Sequence, residues 1–69
     1  MALRTFTAVI SKEDDLYVAE CPEVRTVSQG HTTEEAIANL KEATELYLEE
    51  FSLQNIGRPL VTTFEAACA

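Results

Sequence analysis

The thiol of Cys21 and the imidazole of His31 are the residue types of a nucleophile and its general base. A working pair also needs a third group to orient the base, and a cleft for the substrate. Neither is visible around them. Asp14-Asp15 and Glu34-Glu35 are adjacent carboxylate pairs, the raw material of general acid/base work. Neighbours in sequence diverge on a helix, however, and Asp14-Asp15 fall in a charged turn, so both pairs read as solvated charge. Cys21 and Cys68 are too few for a disulfide framework or a zinc site, and His31 is the only histidine. Gly30 and Gly57 are the only glycines, which excludes a glycine-rich phosphate loop. The expectation is a protein that is not an enzyme, with no catalytic residue, no cofactor and no metal.

The elements that hold these residues are legible from patterning. Leu3 to Ser11 is rich in Thr, Val, Ile and Phe with a partial period of two, and reads as a strand with Phe6, Ala8 and Ile10 on one face. A charged turn, Lys12 to Asp15, leads to a second strand, Leu16 to Cys21, which Pro22 ends. Val24 to Ser28 is a third short strand, closed by Gln29-Gly30. Thr32 and Glu35 form a capping box. The Thr32 hydroxyl would take the Glu35 N–H, and the Glu35 carboxylate would reach back to the Thr32 N–H. The helix runs from about Thr33 to Phe51. Ala36, Ile37, Leu40, Ala43, Thr44, Tyr47, Leu48 and Phe51 share one side, and Glu34, Glu35, Glu42, Glu45 and Glu49 gather on the other with Leu46 among them. Gln54 to Pro59 is a loop, and Leu60 to Ala67 reads as a fourth strand with Leu60, Thr62 and Phe64 facing one way.

The order is βββαβ, an α+β two-layer sandwich in which a three-stranded meander packs one face on the helix. A fourth strand pairing with the first would lie parallel to it through a right-handed crossover. The expected core is Phe6, Ala8, Ile10, Val18, Ile37, Leu40, Ala43, Tyr47, Leu48, Phe51 and Phe64.

Residues 1–69 read as one small domain, since no linker or composition shift divides them. A chain of this length buries only about 60% of its unfolded surface, which favours self-association. The net charge of −7 opposes direct nucleic-acid binding, and the five basic residues, Arg4, Lys12, Arg25, Lys41 and Arg58, form no patch in sequence. No apolar run approaches the ~20 residues of a membrane span, and no signal peptide opens the chain. Cytoplasmic localisation, without a membrane partner, is the expectation.

One long collinear run goes beyond patterning. It comprises Thr7-Ala8-Val9-Ile10, then Tyr17-Val18-Ala19-Glu20-Cys21-Pro22-Glu23-Val24, then Ser28-Gln29-Gly30-His31-Thr32. It continues through Glu34-Glu35-Ala36-Ile37, Asn39-Leu40-Lys41-Glu42-Ala43 and Glu45-Leu46-Tyr47-Leu48, and Pro59 to Glu65 fits the close of short members. This run resembles the HicB-like antitoxin family. Arg25-Thr26 stand where a Gly and a small residue are often found, and His31 replaces the usual acidic residue before the cap. The resemblance implies a truncated ribonuclease H-like fold without a catalytic carboxylate set. It also implies an antitoxin of a type II toxin–antitoxin pair, neutralising a small basic HicA-type endoribonuclease that cuts messenger RNA. Many members append a helix-turn-helix or ribbon-helix-helix, which is not seen here, so a stand-alone toxin-binding module is expected. The alternative is an orphan binding or structural module of the same fold without a toxin.

Two surfaces follow. Glu42, Glu45 and Glu49 with Leu46, and Glu20 and Glu23 near the exit of the second strand, are the candidate contacts for a basic partner. Leu3, Thr5, Val9, Tyr17, Val27 and Val61 would lie on the sheet face away from the helix. That mixture suits a homodimer or a tetramer, formed by stacked sheet faces or by paired edge strands.

Overall fold

The computed structural model describes residues 3–51 and 59–68. Most of the expected loop at Gln54–Pro59 lies outside the described residues. Strands β1 (Val9–Glu13), β2 (Leu16–Cys21) and β3 (Thr26–Gly30) form an antiparallel meander in the order β1-β2-β3, followed by helix α1 (Thr33–Glu50). This is the expected α+β arrangement of a three-stranded sheet and one helix.

The β1–β2 hairpin turns on Asp14-Asp15, with Asp14 left-handed at φ 54°, a conformation that Asp tolerates better than most side chains. The ladder stops at Val9↔Glu20 and Cys21↔Thr26 because Pro22 has no N–H to donate. The chain instead bends through residues 22–25, closed by Arg25 N–H donating to the Cys21 carbonyl at 2.7 Å. That closure places Arg25 at φ 63°, the left-handed region where glycine is favoured. Residues 3–8 therefore have no strand opposite them, and β1 begins six residues later than the sequence suggests. Residues 59–68 are described without regular secondary structure, so the fourth strand expected at Leu60–Ala67 is not formed in the single chain.

Register decides the faces. Ile10, Ala19 and Ser28 are paired across the sheet, as are Lys12, Tyr17 and Gly30, and these rows look toward α1. Val9, Glu20 and Val27 form a row on the opposite, open face, beside Ser11, Val18 and Gln29. The buried centre is Ala19, Cys21, Val24, Ala36 and Leu40 with Thr44, and Phe6, Ile10, Tyr17, Tyr47 and Leu48 pack around it. Several expectations are corrected here. Val18 belongs to the open face, Tyr17 to the helix side, and Ala8, Ile37, Phe51 and Phe64 are exposed. On β2 the inward face carries Tyr17, Ala19 and Cys21, of which Ala19 and Cys21 are fully buried.

The helix start shows how close. Thr32 caps α1, accepting from Glu35 N–H at 3.0 Å. The Glu35 carboxylate returns to the N–H of His31 at 3.2 Å, one residue earlier than a standard capping box. A Cβ on Gly30 would lie 2.6 Å from the Ala36 nitrogen and 2.9 Å from the Glu35 carbonyl carbon. Gly30 has no positive φ, so its role is to let the first turn of the helix sit on β3 rather than to make a turn. Asn39 Nδ2 donating to the Gln29 carbonyl at 2.8 Å, and the Thr26–Thr44 hydroxyl pair at 2.7 Å, fix the helix along that strand.

Gly30→Ala is expected to cost about 2 kcal/mol, since backbone rather than a flexible side chain must move. Arg25→Gly is expected to stabilise by roughly 0.5–1 kcal/mol, the relief of left-handed strain less the added chain entropy. Urea unfolding checks both; a Gly30→Ala protein as stable as the parent would mean that α1 does not rest on β3.

Candidate interaction surfaces

Thr7, Cys21 and Glu23 form a side-chain cluster that joins residues 3–8 to the end of β2. Glu23 Oε2 accepts from the Thr7 N–H at 2.9 Å and from the Thr7 hydroxyl at 3.0 Å. Its other oxygen accepts from the Cys21 thiol at 3.3 Å. Partial burial works against ionisation of Glu23. Its own N–H, both Thr7 donors and the thiol outweigh that, and hold its carboxyl below the usual range. Burial pushes the Cys21 thiol up, with the Glu23 hydrogen bond adding to the effect, and the side chain is buried in the core. His31 stands at the surface against Glu35, with 3.4 Å between Nδ1 and Oε1. The pairing of Cys21 with His31 considered from sequence is not assembled. Among the described residues, no three His, Cys, Asp or Glu side chains gather as a metal site, and no helix is long and apolar enough to cross a membrane.

Glu23, expected at a partner surface, thus ties the chain to itself. Glu20 stands on the open sheet face between Val9 and Val27. Glu42, Glu45, Leu46 and Glu49 are brought together as the sequence suggests, on exposed positions of α1. The helix periodicity did not reveal what they surround. They form the rim of a groove of about 780 Å³ between α1 and residues 3–8, with Phe6, Ile37, Leu40 and Leu48 among its apolar walls. The signal for it was the misplaced Leu46, and the missing half was the failure of residues 3–8 to pair. Of the residues assigned to the second sheet face, only Val9 and Val27 are there. Tyr17 faces the helix, Leu3 and Thr5 precede the sheet, and Val61 stands in the segment 59–68.

The chain is 44% identical over 51 residues to a UPF0150 protein of Helicobacter pylori, covering 72% of this chain and 71% of that protein. It is 35% identical over 57 residues to a UPF0150 protein of Synechocystis, covering 80% of this chain and 83% of the relative. A second UPF0150 protein of Synechocystis is 50% identical over 46 residues, 64% of this chain and 58% of that one. No family model matches the chain. No solved structure matches it.

Because Glu23 is more acidic folded than unfolded, its contribution is present above the unfolded carboxyl pKa of roughly 4.3 and is lost as pH falls through the lower folded value. Glu23→Gln is therefore expected to lower stability at pH 7 by about 1–2 kcal/mol. The gap to the parent should close as the pH is taken below about 4. Denaturant titrations across pH read this directly, and a gap independent of pH would show that the charge of Glu23 is not what holds Thr7.

Proposed function

The chain belongs to the UPF0150 family, and on that footing we propose that it is the antitoxin of a type II toxin–antitoxin pair. It binds and neutralises a small basic HicA-type mRNA endoribonuclease in the cytoplasm, by occupying the toxin's surface and not by catalysis. The resemblance of Tyr17 to Leu48 to HicB-like antitoxins supports this reading. The observation that carries it is the exposed row of Glu42, Glu45 and Glu49 around Leu46, on a chain of net charge −7. Such a row offers a basic ribonuclease what a nucleic acid's phosphates would, namely regularly spaced negative charge, with one apolar anchor in its midst. The alternative, an orphan binding or structural module, keeps the same fold and charge without a toxin. Direct binding to nucleic acid has no place in either reading.

Co-expression with a small basic ribonuclease encoded beside this gene is the test. Rescue of growth and co-purification are expected, and arrest that this chain does not relieve leaves the orphan module. Glu45→Lys with Glu49→Lys is expected to slow toxin capture about tenfold at low salt and much less at high salt. Stopped-flow association measures it; unchanged rates would move the toxin off this face of α1.

A further inference from the structure

Two segments with strand-type sequence, residues 3–8 and 60–67, are left without a ladder in the single chain. The second is apolar yet uncovered, with Leu60 91%, Val61 69% and Phe64 88% exposed. Pro59 lies beside Thr5, Thr7 and Glu23 of its own chain, and residues 60–67 beyond it are exposed. The radius of gyration is 13.9 Å with a long dimension of 48 Å, where a compact chain of this length would have about 11 Å. Residues 3–8, meanwhile, border the apolar groove beside α1 and continue the free edge of β1. An exposed strand without an edge, and an exposed edge beside an apolar groove, are complementary halves of one contact.

We propose that the occupant of the groove is the 60–67 segment of a second copy of this chain. It adds as a strand along residues 3–8 and β1, with Leu60 and Phe64 set into the groove, and the exchange is reciprocal about a two-fold axis. Eight extended residues reach about 26 Å, enough to run the length of residues 3–8 and the start of β1. Charge selects this segment over the alternatives. Glu65 is the only charged residue of 60–67, so the segment can enter past Glu42, Glu45 and Glu49, whereas α1 of a second copy would bring its own glutamates against them. Stacking of open sheet faces would bury Glu20, which sits between Val9 and Val27 with no cation facing it in their row. The rim glutamates stay at the outer side, so the exchange does not depend on a toxin.

The full chain is expected to sediment at tens of micromolar as a dimer, twice 7.6 kDa, or as a multiple of that dimer. Leu60→Asp with Phe64→Asp should give a monomer with unchanged far-UV circular dichroism from α1, because neither side chain is covered in the single chain. Val9→Lys should remain dimeric. A monomeric parent, or dissociation by Val9→Lys but not by the 60/64 pair, overturns the proposal. Exchange is separated from closure within one chain by a spin label at Thr63→Cys in a Cys68→Ser background, mixed with ¹⁵N-labelled parent chains. Broadening of the Thr5, Phe6 and Thr7 amides of the unlabelled-spin partner is expected. Its absence, or its appearance only when the label and the isotope share a chain, overturns the exchange.

Discussion

The close seat of α1 on β3 is the constraint from which the rest of the molecule follows. Gly30 offers no Cβ, Ala36 and Ala19 are fully buried, and the backbone of the first helical turn rests where a side chain would otherwise stand. Directly beneath a helix that near lie the small Ala19 and Cys21 of β2, with Tyr17 of the same face packed at the side of the core. Polar contacts, Asn39 to Gln29 and Thr44 to Thr26, then lock its direction along the strand. Close packing of small side chains brings many atoms into dispersion contact but removes little apolar area, so the core is tight and slight. Stability on such terms is marginal for a chain of 69 residues.

That seat also leaves something uncovered. Because α1 runs over β3 and β2, the β1 side of the sheet is the thin side, and there the ladder is cut short by Pro22. Glu23 compensates in part. A carboxylate that accepts two bonds from Thr7 and one from Cys21 anchors residues 3–8 by side-chain chemistry where backbone pairing has ended. The result is a groove with one apolar wall from the helix and one from an unpaired segment. Its acidic rim is a consequence of helix periodicity, which sets Glu42, Glu45 and Glu49 with Leu46 on one exposed side of α1, beside Lys41 and Ile37.

Element types were largely legible in the sequence, and faces less so. The capping residue Thr32, the limits of β2 and the span of α1 follow from local signals: a cap, a proline, a 3.6-residue stripe. The acidic cluster on α1 needed only the same stripe read from the other side. The inward face of β2 was not legible, because alternation marks two faces without saying which is covered, and both faces of Leu16–Cys21 carry apolar residues. Phe64 was not legible as exposed for a different reason. Strand propensity in Leu60–Ala67 reports fitness for a sheet, and the single chain offers that segment no ladder of its own. The left-handed Arg25 shows the converse case: the departure from glycine was visible, but only the Arg25–Cys21 hydrogen bond explains why glycine suits that position.

Charge and packing together divide the surface. A helix carrying Glu42, Glu45 and Glu49 on its outer side repels a copy of itself and suits the basic partner proposed above. The sheet face away from α1 is held apart from a copy by Glu20, whose carboxylate would lose water and gain no cation across a two-fold axis. What remains for like-with-like contact is the edge, where the donors and acceptors are backbone and carry no net charge. An edge strand is a hazard when it can pair without limit, and reciprocal exchange of one defined segment closes the contact after two copies. In this chain the same glutamates that would draw in a basic protein also rim the groove proposed for a second copy, so the two kinds of partner meet at neighbouring parts of one surface.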